Sequence, residues 1–142
     1  ASGGRHEGVM LGICLALAAA AAGTPAVFVP AEHFTLAWTH SIEKQRSEED
    51  YAVLPGQPPR LQALAARIRG SGAGMEPPDD AVFVDGWYVY HPATWPTTPL
   101  RLTRSEFTAD FDLCIDGRCR TMAHHLPSDH GITLLSPCTR PR

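Results

Sequence analysis

Two polar stretches of the chain carry most of the side chains that could bind a ligand or transfer a proton. In residues 39–51, His40 follows an alternating apolar pattern, and Glu43 and Glu49 supply carboxylates. An imidazole with a carboxylate beside it is suited to acid–base chemistry or to holding a ligand. The alternative is a solvated hairpin loop whose ion pairs are worth about 0–1 kcal/mol each. Ser41 cannot readily share a proton with His40, because neighbours on a strand point to opposite faces.

The second polar stretch is the glycine-rich run RGSGAGMEPP at residues 69–78. Glycine supplies no packing volume and proline donates no ladder hydrogen bond, so the run predicts a loop. A phosphate-binding loop would lead into a helix, often through Gly-Lys-Ser/Thr, whereas Met75 and Glu76 lead here into two prolines. We expect Glu76 to accept hydrogen bonds from backbone N–H groups or from Arg69, and Met75 to contact a ligand, a partner or the core.

A third polar turn spans residues 104–110. Arg104 has the planar fork that binds a carboxylate through two hydrogen bonds, so it is a candidate ligand clamp. It is equally suited to a structural pair with Glu106, Asp110 or Glu76. The histidines of residues 124–130 lie in an irregular loop, which predicts a solvated segment rather than a metal site.

We therefore predict a binding surface where these three stretches meet at one end of a β scaffold. No catalytic residue, metal ligand or cofactor is assigned. The candidate binding residues are His40, Ser41, Glu43, Lys44, Glu49, Arg69, Ser71, Met75, Glu76 and Arg104.

Short apolar runs separated by Gly, Pro and Asp predict the scaffold. They recur about every 8–12 residues, which indicates an all-β fold, a single antiparallel sandwich or small barrel of about eight short strands. Asp85-Gly86 and Asp116-Gly117 predict two-residue hairpin turns. Residues 60–70 have apolar side chains at helical spacing, so the sequence alone leaves helix and strand open there.

The Asp116-Gly117 turn also predicts a disulfide. It places Cys114 and Cys119 opposite each other as a non-hydrogen-bonded pair, a geometry that suits a cross-strand bridge. Cys138 is then expected to be unpaired and buried, with pairing to Cys114 or Cys119 as the alternative.

The composition and the N-terminal segment limit the possible locations and partners of the protein. Residues 9–22 are uncharged and apolar behind Arg5, which predicts a signal peptide or membrane anchor over residues 1–25 and one β domain over residues 26–142. We expect an exported protein, in the periplasm or tethered to the outer face of the cytoplasmic membrane, that contacts membrane only through this segment. The formal net charge of −3 gives no indication of nucleic-acid binding.

The strings WTHSIEK, EEDY, GSGAGMEPP and RSEFTAD resemble those of a bacterial and archaeal family of small exported domains of unknown function. Genes for that family often lie beside TRAP transporters of the TAXI class. The resemblance implies a β-rich fold, which favours a strand at residues 60–70. It also implies an accessory role in solute uptake, and it supplies no catalytic residues.

Three functions follow as hypotheses. The first is a non-enzymatic accessory or binding protein of TRAP-type uptake, contacting the solute receptor, the membrane subunits or a small organic acid. The second is a small hydrolase or isomerase that uses His40 with a nearby Glu. The third is a structural envelope domain without a ligand. The sequence contains neither a nucleophile placed near a base nor metal ligands at ordered spacing, which favours a non-enzymatic role.

Overall fold

The computed structural model describes residues 8–40, 45–69 and 78–142, and these residues form eleven strands and one short helix. The elements are β1 (Val9–Leu17), β2 (Val27–Pro30), β3 (His33–Thr39), β4 (Arg46–Leu54), β5 (Arg60–Arg69), β6 (Val82–Val84), β7 (Trp87–Tyr90), β8 (Leu100–Thr103), β9 (Asp112–Ile115), β10 (Arg118–Thr121), α1 (Met122–His125) and β11 (Ile132–Pro141). The predicted all-β class is confirmed, and the strands are more numerous than the eight expected. No described helix is long and apolar enough to cross a bilayer.

The strands form two open antiparallel sheets. Sheet A has the order β2-β1-β11-β8, and sheet B has the order β10-β9-β3-β4-β5-β7-β6. Period-2 alternation gives each sheet one apolar face, and burying the two faces against each other forms the core. Sheet A contributes Ile13, Leu15, Leu102 and Leu135 to this core, and sheet B contributes Phe34, Leu36, Tyr51, Leu61 and Leu113.

The uncharged N-terminal run is part of sheet A in the structure. Strand β1 pairs with β11 over nine residues and with β2 on its other side, and Ile13 and Leu15 are 0% exposed. An apolar run of this length is as typical of a strand buried on both sides as of a signal segment. The signal peptide or anchor of residues 1–25 stays a prediction, but the β fold extends into that range.

The expectation that Cys138 is unpaired is wrong, because Cys138 forms a disulfide with Cys14. The register places Cys14 opposite Ser136 and Gly12 opposite Cys138, so the bridge joins β1 to β11 diagonally. The predicted signal peptide over residues 1–25 includes Cys14, so Cys14 was not considered as a disulfide partner for Cys138. The described residues contain no free cysteine.

Both predicted hairpin turns are confirmed. Asp116 and Gly117 have positive φ angles of 52° and 79°, and Asp85 and Gly86 have 50° and 88°. These left-handed values match the twist of the flanking strands, and glycine reaches them without steric cost. Cys114 lies directly opposite Cys119, and the predicted cross-strand disulfide joins them.

Residues 60–69 form a strand, as the family resemblance implied. Strand β5 pairs with β4 on one side and with β7 on the other, so its backbone groups are satisfied within sheet B. The pairing of β5 with β4 shifts by one residue opposite Asp50 and Tyr51, where one residue of β5 has no partner on β4. The apolar residues of β5 with helical spacing lie on both sides of this shift. Tertiary pairing therefore overrides local helix propensity.

Candidate ligand-binding site

The described ends of the polar stretches lie at the same end of sheet B. Thr39 on β3 pairs with Arg46 on β4, and Ser47 pairs with Ile68, so Arg69 ends β5 beside Arg46. Both polar stretches therefore connect to sheet B at the same end of its strands. The candidates Ser41, Glu43, Lys44, Ser71, Met75 and Glu76 lie outside the described residues, so their roles stay predictions.

The polar residues that follow His40 are not a loop beyond Gln45. They form β4, and strand alternation divides them between two faces. One face of β4 carries Arg46, Glu48 and Asp50, and the other carries Ser47 and Glu49. Ion pairs with Asp112 of β9 and Arg67 of β5 satisfy the charges of the first set, so this charged segment forms a stable strand.

Arg67 of β5 is the centre of an ion-pair network on the outer face of sheet B. Its Nε lies 2.8 Å from Glu48 Oε1, and its Nη1 lies 2.9 Å from Asp50 Oδ2. Thr35 donates a hydrogen bond of 2.6 Å to Asp50, and Arg46 Nη2 lies 2.9 Å from Asp112 Oδ2. These arginines are therefore committed to structural pairs on the face away from the core.

We expect the stability of this outer face to depend on acid pH through Asp50. Burial raises the pKa of Asp50, but hydrogen bonds from Arg67 and Thr35 and the Arg67 charge outweigh it, so the pKa lies below its ordinary value of 3.8. A carboxyl with a depressed folded-state pKa stabilises the fold above its unfolded pKa, and this contribution is lost as pH falls through the folded value. Urea unfolding from about pH 5 downwards should therefore show a steeper loss for the wild type than for Asp50→Asn. Equal slopes for the two proteins would contradict this assignment.

His40 lies on the inner face, at the end of the apolar row of β3. His40 Nε2 and Ser47 Oγ are 2.9 Å apart and share a hydrogen bond, and the Trp38 ring lies 6.2 Å from the imidazole between centroids. A Ser–His hydrogen bond is the geometry of a nucleophile with its base. Ser47 is only 5% exposed, however, so the contact orients the imidazole more readily than it presents a nucleophile.

Glu49 occupies the middle of the inner face of sheet B. The register places it between Leu36 on β3 and Ala66 on β5, and both of these residues are 2% exposed. The Tyr51 hydroxyl donates a hydrogen bond of 2.6 Å to Glu49 Oε1. Burial, and then the Glu49 carboxylate, raise the pKa of Tyr51. The phenol therefore stays neutral and remains the donor of the hydrogen bond to Glu49.

Burial also raises the pKa of Tyr90 on β7, and the Glu49 and Asp80 charges raise it further. Tyr90 pairs with Ala66, which itself pairs with Glu49, so one row of the sheet connects all three residues. The negative charge of Glu49 therefore acts on aromatic residues of two strands.

Glu49 and Tyr51 line two adjoining cavities, which makes this part of the inner face the candidate site. The larger cavity, of about 290 Å³, lies between sheet B and strand β8, and we call it the Glu49 cavity. The smaller one, of about 170 Å³, lies beside the segment that follows β7. The Glu49 cavity is lined by Leu36, Trp38, Glu49, Tyr51, Leu100, Arg101, Leu102 and Phe111.

Two larger depressions lie elsewhere, and each has a volume of about 410 Å³. One is near the ends of β1 and β2, and the other covers the outer face around Asp50 and Arg67. The wall of the depression on the outer face contains the ion pair between Asp50 and Arg67, which has a structural role. The Glu49 cavity differs from it, because a carboxylate stands there among buried apolar side chains, which is the usual composition of a small-molecule site.

Arg104 and Arg69 lie outside the Glu49 cavity. The Arg104 Nε and Nη2 atoms each lie 2.9 Å from an oxygen of Asp110, and Nη1 donates a 3.0 Å bond to Thr133. The carboxylate that Arg104 clamps is therefore Asp110 of its own turn. Asp110 in turn accepts hydrogen bonds from the Phe111 and Ala123 backbone N–H groups. Arg69 is exposed, and its guanidinium lies 5.2 Å from the Trp87 ring centroid.

The histidine-rich segment around α1 forms no metal cluster. Within residues 8–40, 45–69 and 78–142, no three His, Cys, Asp or Glu side chains are placed to hold an ion. The rings of His124 and His125 pack edge to face, 5.0 Å apart. Burial, and then the charges of His124 and Arg120, lower the pKa of His125. The absence of a metal site from the whole chain stays a prediction.

Of the residues that line the Glu49 cavity, sequence reasoning identified only Glu49 as a candidate. It placed Leu36 and Trp38 on one apolar strand face without assigning them to a site, and it missed Tyr51, Phe111 and the β8 residues. Trp38 could have been identified as a cavity residue from the sequence, because it lies on the same strand face as His40. No local pattern indicates that β8, about 50 residues later in the chain, closes the cavity.

The fold and the site together define an all-β, two-sheet domain with a carboxylate-bearing cavity between its sheets. The family described as Domain of unknown function (DUF1850) matches residues 34–122, and the chain belongs to that family. The matched range contains sheet B except for His33, the first residue of β3, together with strand β8 and the described residues that line the Glu49 cavity. No curated protein and no solved structure matches the chain.

Proposed function

We propose that this protein is an exported, non-enzymatic accessory protein of TRAP-type solute uptake that binds a small molecule in the Glu49 cavity. The observation that carries the binding role is the position of Glu49, a carboxylate in the middle of an apolar sheet face and in the wall of two adjoining cavities. Among the described residues Glu49 has no counter-charge, and a fold gains nothing from a half-buried carboxylate without one, so a ligand is the simpler reason for it.

Two observations support export and the transport association. The two disulfides, Cys14–Cys138 and Cys114–Cys119, are compatible with an oxidising compartment outside the cytoplasm. The TRAP association comes from the motifs that resemble the family found beside such transporters. The solute receptor or the membrane subunits are the expected partners.

The hydrolase alternative has one observation in its favour, the hydrogen bond between His40 and Ser47. The geometry supports binding better for two reasons. Ser47 is almost fully buried, and Glu49, the carboxylate on the inner face of β4, has its described hydrogen bond with Tyr51 rather than with His40. A catalytic pair would need a third group to orient the base and room for the substrate beside the hydroxyl.

We expect deletion of the gene to lower uptake of the solute of the neighbouring TRAP system severalfold. A plasmid-borne Glu49→Gln variant should fail to restore uptake, because the amide keeps the volume but loses the charge. Glu106→Gln, which changes an exposed carboxylate away from the cavity, is the matched control and should restore uptake fully.

Thermal melting of purified Glu49→Gln should show an intact fold, so that the loss of uptake reports on the cavity. Normal uptake in the deletion strain would overturn the proposed function. Full restoration by Glu49→Gln would remove the Glu49 cavity from it.

A further inference from the structure

We infer that the Glu49 cavity binds a small organic cation, an ammonium group carried on a compact apolar or aromatic body. This inference rests on the proposed binding function and adds the chemical class of the ligand. It differs from the small organic acid that the sequence predicts, because Glu49, the one carboxylate that the described residues contribute to the cavity wall, would repel an anion.

The charge of the cavity is the first argument. Glu49 takes part in no ion pair with the described residues, and its one described hydrogen bond comes from Tyr51 to Oε1. An ionised carboxylate accepts about four hydrogen bonds, so Oε2 keeps its capacity for a donor. An ammonium group in the cavity would supply both the donor and the counter-charge.

The arginines on the described strands do not supply that counter-charge. Arg46 and Arg67 pair with carboxylates on the opposite face of sheet B. Arg101 belongs to the cavity wall, but it lies between Leu100 and Leu102, which pack in or against the core. Strand alternation directs the Arg101 side chain to the other face of β8 from Leu100 and Leu102, and Arg101 is exposed.

The aromatic residues around Glu49 are the second argument. Trp38, Tyr51 and Phe111 all line the cavity, and the Trp38 and Phe111 rings are 5.8 Å apart between centroids at a tilt of 50°. The negative faces of aromatic rings attract cations, and clusters of such rings are used to bind quaternary ammonium groups. The Tyr51 hydroxyl donates a hydrogen bond to Glu49, so the aromatic ring and the carboxylate are held together at one point.

The shape of the cavity is the third argument. Its lining includes the buried residues Leu36, Tyr51 and Leu102 and the partly buried Trp38 and Phe111. A volume of about 290 Å³ accommodates a ligand with a single ring. The apolar lining favours such a body and the carboxylate favours a charged nitrogen on it.

Isothermal titration with three probes of similar size tests this inference: benzylammonium, benzyl alcohol and benzoate, at pH 7 and low salt. We expect benzylammonium to bind at least tenfold more tightly than either of the others. Glu49→Gln should weaken benzylammonium binding at least tenfold and leave benzyl alcohol unchanged. Glu106→Gln should change neither. Trp38→Leu, which keeps an apolar side chain without a ring, should weaken benzylammonium severalfold and provides a second test if Glu49→Gln fails to fold.

Three results would overturn the inference. Tighter binding of benzoate than of benzylammonium would identify the ligand as an acid and leave the binding function standing. Equal binding of all three probes would identify a merely apolar cavity. No measurable binding of any probe would also reject the cation, whereas the accessory function would still be judged separately by uptake in the deletion strain.

Discussion

Replacing Arg104 with alanine is expected to lower the free energy of unfolding by about 3–5 kcal/mol, the cost of breaking a buried ion pair by removing one partner. The Arg104 side chain is 1% exposed and makes two bonds to Asp110 and one to Thr133. Its loss leaves Asp110 without a counter-charge and Thr133, which is fully buried, without this partner. Urea unfolding followed by circular dichroism measures the change.

Arg118 provides the matched control, because it lies exposed on the edge strand β10. Arg118→Ala should change the free energy of unfolding by less than about 0.5 kcal/mol. Arg104→Lys should recover only part of the loss, since an ammonium group cannot make the two parallel bonds to one carboxylate. An Arg104→Ala protein within about 1 kcal/mol of the wild type would show that the pair contributes little.

Removing the Cys14–Cys138 disulfide is expected to cost about 5 kcal/mol, against about 2 kcal/mol for the Cys114–Cys119 disulfide. The first bridge joins residues 124 apart in sequence and the second joins residues 5 apart. In the chain-entropy account, a cross-link stabilises the fold by restricting the unfolded chain, and the restriction grows with loop length. The two double variants, with each cysteine pair replaced by alanine, allow a direct comparison by thermal melting.

The order of the two effects is the sharper part of this prediction. Both variants delete the same number of sulfur atoms from the same protein, so each serves as the control for the other. A larger loss from the Cys114–Cys119 variant would mean that strain or local packing, rather than the length of the closed loop, determines the stabilisation.

The sequence predicted the parts of the fold that depend on local chemistry. The Asp-Gly turns and the strands beside them follow from backbone preferences of two residues, and both hairpins are present. Strand β1 was harder to recognise, since an uncharged apolar run has the same composition whether it is buried in a sheet or recognised as an export signal. Its partner β11 lies at the other end of the chain, and no local pattern links the two.

The candidate site was predictable to a smaller extent. Glu49 was identified because a carboxylate beside His40 would suit acid–base chemistry or ligand binding. The face of the sheet to which its side chain points could not be predicted without knowing where β4 begins. The residues after His40 appeared to be a loop, and only the cross-strand pairs with Arg67 explain why they are extended. Arg104 was a plausible ligand clamp until the position of Asp110 was known. Such pairings between distant residues are set by tertiary packing.

The pairing of β1 with β11 also determines when sheet A can be completed. Val9 lies opposite Pro141, and β11 is the only strand that joins β1 to β8 within sheet A. A ribosome or translocon that releases the chain from its N-terminus delivers β1 long before its partner emerges. Sheet A therefore stays incomplete until β11 has been synthesised, and the side of β1 that pairs with β11 has no partner strand for that time. Until β11 pairs with it, this side of β1 exposes backbone N–H and C=O groups that a strand of another chain could bind.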